Sequence, residues 1–157
     1  MSSPFTMDDV VKSCIHVAQQ LEPGHTETVY QNALAVDLSS KGWITQCERP
    51  VPITFTDEKG NNHIVGTGRI DIYATAPHHN LSVVIEVKVS TSSVSKPWHK
   101  RQVEAYAKHV SGTPVLVTFT SANCGCPIIE AKPEDGSWLI NDTNEVVSFP
   151  IRAQTSQ

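Results

Sequence analysis

A chain of 157 residues with 12 Lys plus Arg against 16 Asp plus Glu carries a net charge of −4, which excludes the general attraction to polyanions on which strongly basic nucleic-acid binders rely. Its 18 Val, 11 Ile, 6 Leu and 4 Phe make up about a quarter of the residues, above the ~20% level below which chains stay disordered. The excess of β-branched residues over Leu excludes a helical bundle and predicts one sheet-centred domain over 1–157, with a core at about 7–120 and a C-terminal extension at 121–157.

The apolar residues Val10, Val11, Cys14, Ile15, Val17, Ala18 and Leu21 recur at three and four, and predict a first helix over Met7–Leu21 with Asp8 and Asp9 in its first turn. Glu22-Pro23-Gly24 breaks it, and a second helix is predicted over His25–Lys41, closed by Gly42. Residues 43–56 and 63–75 are rich in β-formers and flank the turn DEKGNN, which predicts a hairpin. LSVVIEVKVS at 81–90 is nearly continuously apolar, as a strand covered on both faces would be. A third helix is predicted over Lys96–His109, with Pro97 in its first turn. TPVLVTFTS then reads as a strand parallel to the one before it. Beyond Ala122, CGCPIIEAKPEDG is loop-like, GSWLIN and EVVSFP are two short strand candidates, and IRAQTSQ reads as a frayed tail. The fold class is therefore α/β, a mixed sheet flanked by helices in the order α-α-β-β-β-α-β-β-β.

No apolar run reaches the ~18–20 residues that span a bilayer, and the start MSSPFTMDDVV is polar and acidic. A soluble, intracellular protein is expected, cytoplasmic or nuclear. Cys14, Cys47, Cys124 and Cys126 lack zinc-finger or zinc-ribbon spacing and read as reduced structural thiols.

Chemistry concentrates on the central strand. Glu86 and Lys88 lie two apart, hence on one face, between Val83, Val84, Ile85, Val87 and Val89. Charges placed there are costly unless they are paired or used. Asp71, bracketed by Ile70 and Ile72, precedes Glu86 by 15 residues, so a short turn brings both acids side by side. Two carboxylates on adjacent strands offer oxygen ligands to Mg²⁺ or Mn²⁺, and a neighbouring lysine suits charge developing on phosphorus. The same residues also read as a buried ion pair.

Asp71 followed by Glu86-Val87-Lys88 resembles the D...ExK signature of the PD-(D/E)XK nuclease superfamily. Gln102-Val103-Glu104-Ala105-Tyr106 is similar to the QxxxY motif of its RecB-like branch. Gly24-His25-Thr26-Glu27-Thr28-Val29-Tyr30 resembles the GxxExxY signature of one clade. Ile70 stands where the superfamily name has Pro. The resemblance implies a restriction-endonuclease-like core and a Mg²⁺-dependent (deoxyribo)nuclease acting in replication, recombination or repair. It further implies that Asp71 and Glu86 hold the metal, with the Val87 carbonyl as a third ligand, that Lys88 is catalytic, and that Glu27 approaches as an outer-shell or second-metal ligand. Gln102 and Tyr106, at i and i+4 on one helix face, are implied to orient water or a phosphate, and Tyr30, at i+3 from Glu27, reads as packing or orienting that acid.

Outside the resemblance, Gln102 and Tyr106 also read as a helix surface with a half-buried aromatic, and Glu27 as an acid favoured by the helix dipole. Lys96, Trp98, Lys100 and Arg101 read equally as a nucleic-acid contact and as a solvated helix end. The expected substrate is DNA, with RNA open and no membrane partner; a homodimer or membership of a larger complex is compatible. The alternative is a non-catalytic nucleic-acid-binding or interaction module, or accessory subunit, that keeps the nuclease fold.

Overall fold

The structure is a computed structural model that describes residues 5–78, 81–91, 97–121, 125–133 and 136–144. Helix α1 (Met7–Gln20) starts at Thr6, whose hydroxyl caps the first turn while Asp9 reaches back to the Thr6 N–H in a capping box. Helix α2 (Glu27–Ser40) follows the Pro-Gly break. Strands β1 (Ile44–Thr56) and β2 (Asn62–Ala76) form a long antiparallel hairpin. Its turn is fastened by Asp57, which accepts the Lys59 and Asn61 N–H groups at 2.9 Å, with Gly60 at φ +86°.

Strand β3 (Leu81–Ser90) pairs antiparallel with β2 and parallel with β4 (Thr113–Thr120), the connection between them carrying α3 (Pro97–Val110). Strands β5 (Ile128–Ala131) and β6 (Leu139–Asn141) continue the sheet antiparallel, giving six strands in chain order. Val83, Ile85 and Val87 face α1 and α2, where they meet Val10, Val11, Leu34 and Leu38. Val84 faces the other way and packs with Val103 and Ala107 of α3. Burial on both faces explains why β3 reads as a continuous apolar run, and the expectation of an α/β fold with a mixed sheet flanked by helices holds, with the element order as expected through β4.

The C-terminal strands need a correction. IIEA, read as loop from its flanking prolines, is β5, and all four of its residues are buried. It is covered on both faces, so no alternation marks it. The candidate GSWLIN at 136–141 contains β6, whereas EVVSFP and the tail lie outside the described residues. No helix among the described residues is long and apolar enough to cross a membrane.

Candidate active site

The β2–β3 ladder runs from Ala76 opposite Leu81 to Ile72 opposite Ile85 and ends there. One residue further, the Asp71 carboxylate takes over, its Oδ2 accepting the Val87 N–H at 2.8 Å. Strand β2 also turns over at this point. Ile72 and Ala74 belong to the α1/α2 side, whereas Ile70 belongs to the α3 side and Gly68 lies under the Tyr106 hydroxyl. Across from Asp71 on β1, Glu48 sits at φ +55° between the pairs Cys47–Ile72 and Arg49–Ile70, a conformation that costs a non-glycine residue about 1–2 kcal/mol. The sheet therefore forks at Asp71, and the fork is where the acids meet.

Glu86 is 6% exposed and faces α3. Lys88 reaches back along the same face, its Nζ 3.3 Å from Glu86 Oε2. Burial, reinforced by the neighbouring Asp71 carboxylate and opposed by Lys88, pushes the Glu86 carboxyl up to about 7. Burial also raises Asp71, against the pull of the Val87 N–H and Lys88. Two acids held from water beside a single ammonium are short of positive charge. Hard carboxylate oxygens in that condition fit a divalent cation such as Mg²⁺. Among the described residues no group of three His, Cys, Asp or Glu side chains forms a ready-made metal cage, so the fit rests on the two carboxylates with backbone and solvent oxygens.

Glu27 arrives from the start of α2. Its Oε2 accepts the Val89 N–H at 3.2 Å, and its charge contributes to the rise at Asp71. Tyr30 packs, its ring stacked on Phe119 at 4.5 Å and its hydroxyl donating to the Glu22 carbonyl at 2.9 Å. On α3, Gln102 Nε2 donates to the Tyr106 hydroxyl at 3.3 Å, and that hydroxyl lies over Gly68, three residues before Asp71. Glycine is required there by space, since a methyl would overlap the tyrosine oxygen.

The basic end of α3 divides. Trp98 is exposed and sets its ring edge-on to His99 at 5.7 Å, and Arg101 is exposed. Lys100 turns inward to an ion pair with Glu130 of β5 at 2.6 Å. Lys96 lies outside the described residues, as does Cys124. Cys14, Cys47 and Cys126 are free thiols, and burial raises Cys14 to about 12.

Sequence reasoning missed the partners of α3 in the C-terminal segment: Glu130 on β5, Lys132 just after it and Trp138 just before β6. The i, i+4 spacing of Lys100 and Glu104 signals a polar helix face, but without β5 it has nothing to meet.

An acid at a strand fork, an acid-x-lysine on the next strand, and helices on both faces of a mixed sheet define a restriction-endonuclease-like nuclease fold. The chain matches the family model of the PD-(D/E)XK nuclease superfamily over residues 5–125, and it belongs to that superfamily. Among solved structures it is similar to the crystal structure of SSO0001, with 21% identity and a TM-score of 0.42, over 76% of this chain and 65% of that one. No curated protein matches it.

Proposed function

We propose that the protein is a metal-dependent nuclease that hydrolyses phosphodiester bonds, with DNA as substrate. The observation that carries this reading is the pairing of Asp71 and Glu86 at the fork with Lys88 at 3.3 Å from Glu86. As a purely structural ion pair it would be an expensive one, since the buried Glu86 and the partly buried Asp71 share one lysine. A divalent cation bound there supplies Lewis acidity and lowers the pKa of coordinated water. Asp71 and Glu86, with the Val87 carbonyl, are its ligands in this proposal.

The remaining work falls to groups of the chain. Lys88 stabilises charge that develops on the phosphate oxygens as water attacks. Glu27 keeps the end of β3 in place through the Val89 N–H and adds negative potential at Asp71. Gln102 and Tyr106 orient water or a non-bridging oxygen, as the QxxxY motif of the RecB-like branch suggests. Trp98 and Arg101 at the exposed start of α3 supply stacking and charge for the strand. The net charge of −4 is compatible with this, because the cation and Lys88 meet the phosphate locally.

The test is cleavage of single-stranded, duplex and forked DNA and of RNA with Mg²⁺ or Mn²⁺, in wild type, Glu86→Ala and Lys88→Ala. Cutting of DNA that requires the cation and disappears in both folded variants is expected. Nucleic-acid binding by folded wild type that is indifferent to chelator, with no cutting of any substrate, would replace this reading with a non-catalytic binding module.

A further inference from the structure

Helix α3 straddles the sheet. With 3.6 residues per turn, Gln102 and Tyr106 lie along one flank, Val103 and Ala107 along the underside, and Lys100 and Glu104 along the other flank. The first flank meets β2 through the Tyr106 hydroxyl at Gly68. The underside packs on Ile70, Val84 and Val51. Small apolar contacts of this kind resist separation of helix and sheet, yet they leave a roll about the helix axis weakly opposed, because dispersion and burial are not directional.

The second flank supplies the direction. Lys100 Nζ lies 2.6 Å from Glu130 Oε2 on β5 and 5.6 Å from the centre of the Trp138 ring. One turn on, Glu104 accepts from Lys132 Nζ at 2.7 Å and from Trp138 Nε1 at 3.1 Å. Both contacts hold the Glu104 carboxyl below its usual range, Lys132 most strongly. The register Glu86–Leu116–Glu130 places Glu130 two strands from the metal-binding acid on the same sheet face. Glu130 is 5% exposed, and its Oε1 has no hydrogen-bond partner among the described residues. A buried pair left incompletely satisfied is weak evidence for a stabilising role.

We infer that the β5–β6 segment is a clamp that sets the rotation of α3, with Glu130, Glu104 and Lys132 as positioning residues for Gln102 and Tyr106 at the Asp71–Glu86 site. The family match ends at residue 125, before β5 begins at Ile128, so this chain supplies the clamp from outside the matched region. The inference rests on the nuclease reading for its catalytic consequence, but not for its mechanical one.

The full chain is compared with Glu130→Gln, Glu104→Lys, Lys132→Glu and the charge-exchanged double Glu104→Lys/Lys132→Glu. Three quantities are read: kcat and KM for Mg²⁺-dependent DNA cleavage, amide hydrogen exchange of residues 97–110, and thermal unfolding. Because Glu130→Gln leaves Lys100 without its counter-charge and risks misfolding, the more exposed Glu104–Lys132 pair keeps the test open. Expected for each single variant is a fall in kcat of roughly 10- to 100-fold, the scale of a misplaced catalytic group, with KM within about threefold. Exchange in the first two turns of α3 quickens, and the double variant recovers part of both losses, the part carried by the 104–132 ion pair and not by the Trp138 N–H.

Single variants that fold and leave kcat and α3 exchange unchanged overturn the clamp, as does a double variant no better than the singles. If wild type cuts nothing, the nuclease reading falls and hydrogen exchange alone decides: faster exchange in the singles, partly reversed in the double, upholds the clamp, and unchanged exchange removes it.

Discussion

Glu86 is where folding and function pull in opposite directions. Folding raises its carboxyl from an ordinary 4.5 to about 7 through burial and the neighbouring Asp71, so between those pH values the folded chain holds a proton that the unfolded chain has released. Stability from this group is complete below about pH 4.5 and is lost as the pH rises to 7. Metal-free Glu86→Gln, which cannot ionise, should therefore be more stable than wild type at pH 8 by about 1–3 kcal/mol, with the difference vanishing near pH 4. Urea unfolding at the two pH values measures this, and a variant less stable at pH 8 would show that the acid is well solvated or well paired. Under the proposed function the same substitution should cut cleavage by at least about 100-fold, since it removes a proposed metal ligand. A stabilised but inactive protein is the signature of a residue kept for chemistry. Gly68 makes the complementary case from steric fit. Gly68→Ala drives a methyl into the Tyr106 hydroxyl and should cost about 1–3 kcal/mol. Tyr106→Phe in that background should return part of the loss in a denaturant titration; no recovery would place the strain elsewhere.

At the scale of elements, what could be read from the sequence depended on whether a segment's burial left a pattern. Helix α1 shows its stripe, its acidic first turn and the Glu22-Pro23-Gly24 break, so its bounds are predicted to within a residue, and β3 is predicted at Leu81–Ser90 as found. Asp71, Glu86 and Lys88 were legible because charge stands out against an apolar strand. The fork that joins them was not, because it depends on β2 turning over at Asp71 opposite a left-handed Glu48, and alternation rules assume a strand that keeps its faces. β5 was illegible for the reason that β3 was readable only by its length: burial on both faces erases alternation, and four residues between prolines are too few to replace it. Ile129 is fully buried in that strand and belongs to the main core. Ile129→Ala should accordingly cost about 2–5 kcal/mol, against less than about 0.5 kcal/mol for a surface loop position. A loss of the smaller size in urea unfolding would return residues 128–131 to the status of a peripheral loop.

At the scale of the whole molecule, a nuclease reading requires an acidic chain to meet an acidic polymer. With a net charge of −4, general electrostatics oppose approach to DNA, and under the proposed function the attraction must come from a few local cations and from an ion held by Asp71 and Glu86. That ion also links the site to global stability, because a ligand bound only by the native state stabilises it by about 2.7 kcal/mol at 100 times its Kd. Mg²⁺ should raise the unfolding temperature of wild type in a concentration-dependent way, and DNA affinity should fall when chelator removes it. Asp71→Asn separates the contributions cleanly. Its side-chain oxygen can still accept the Val87 N–H that closes the fork, so the fold persists, while one of the two carboxylate charges proposed to hold the cation is gone. The expected outcome is an Asp71→Asn protein whose unfolding temperature ignores Mg²⁺ and whose DNA affinity ignores chelator. If its response to Mg²⁺ matched wild type, the cation would be binding elsewhere on the acidic surface, and the two carboxylates at the fork would have to be assigned another purpose.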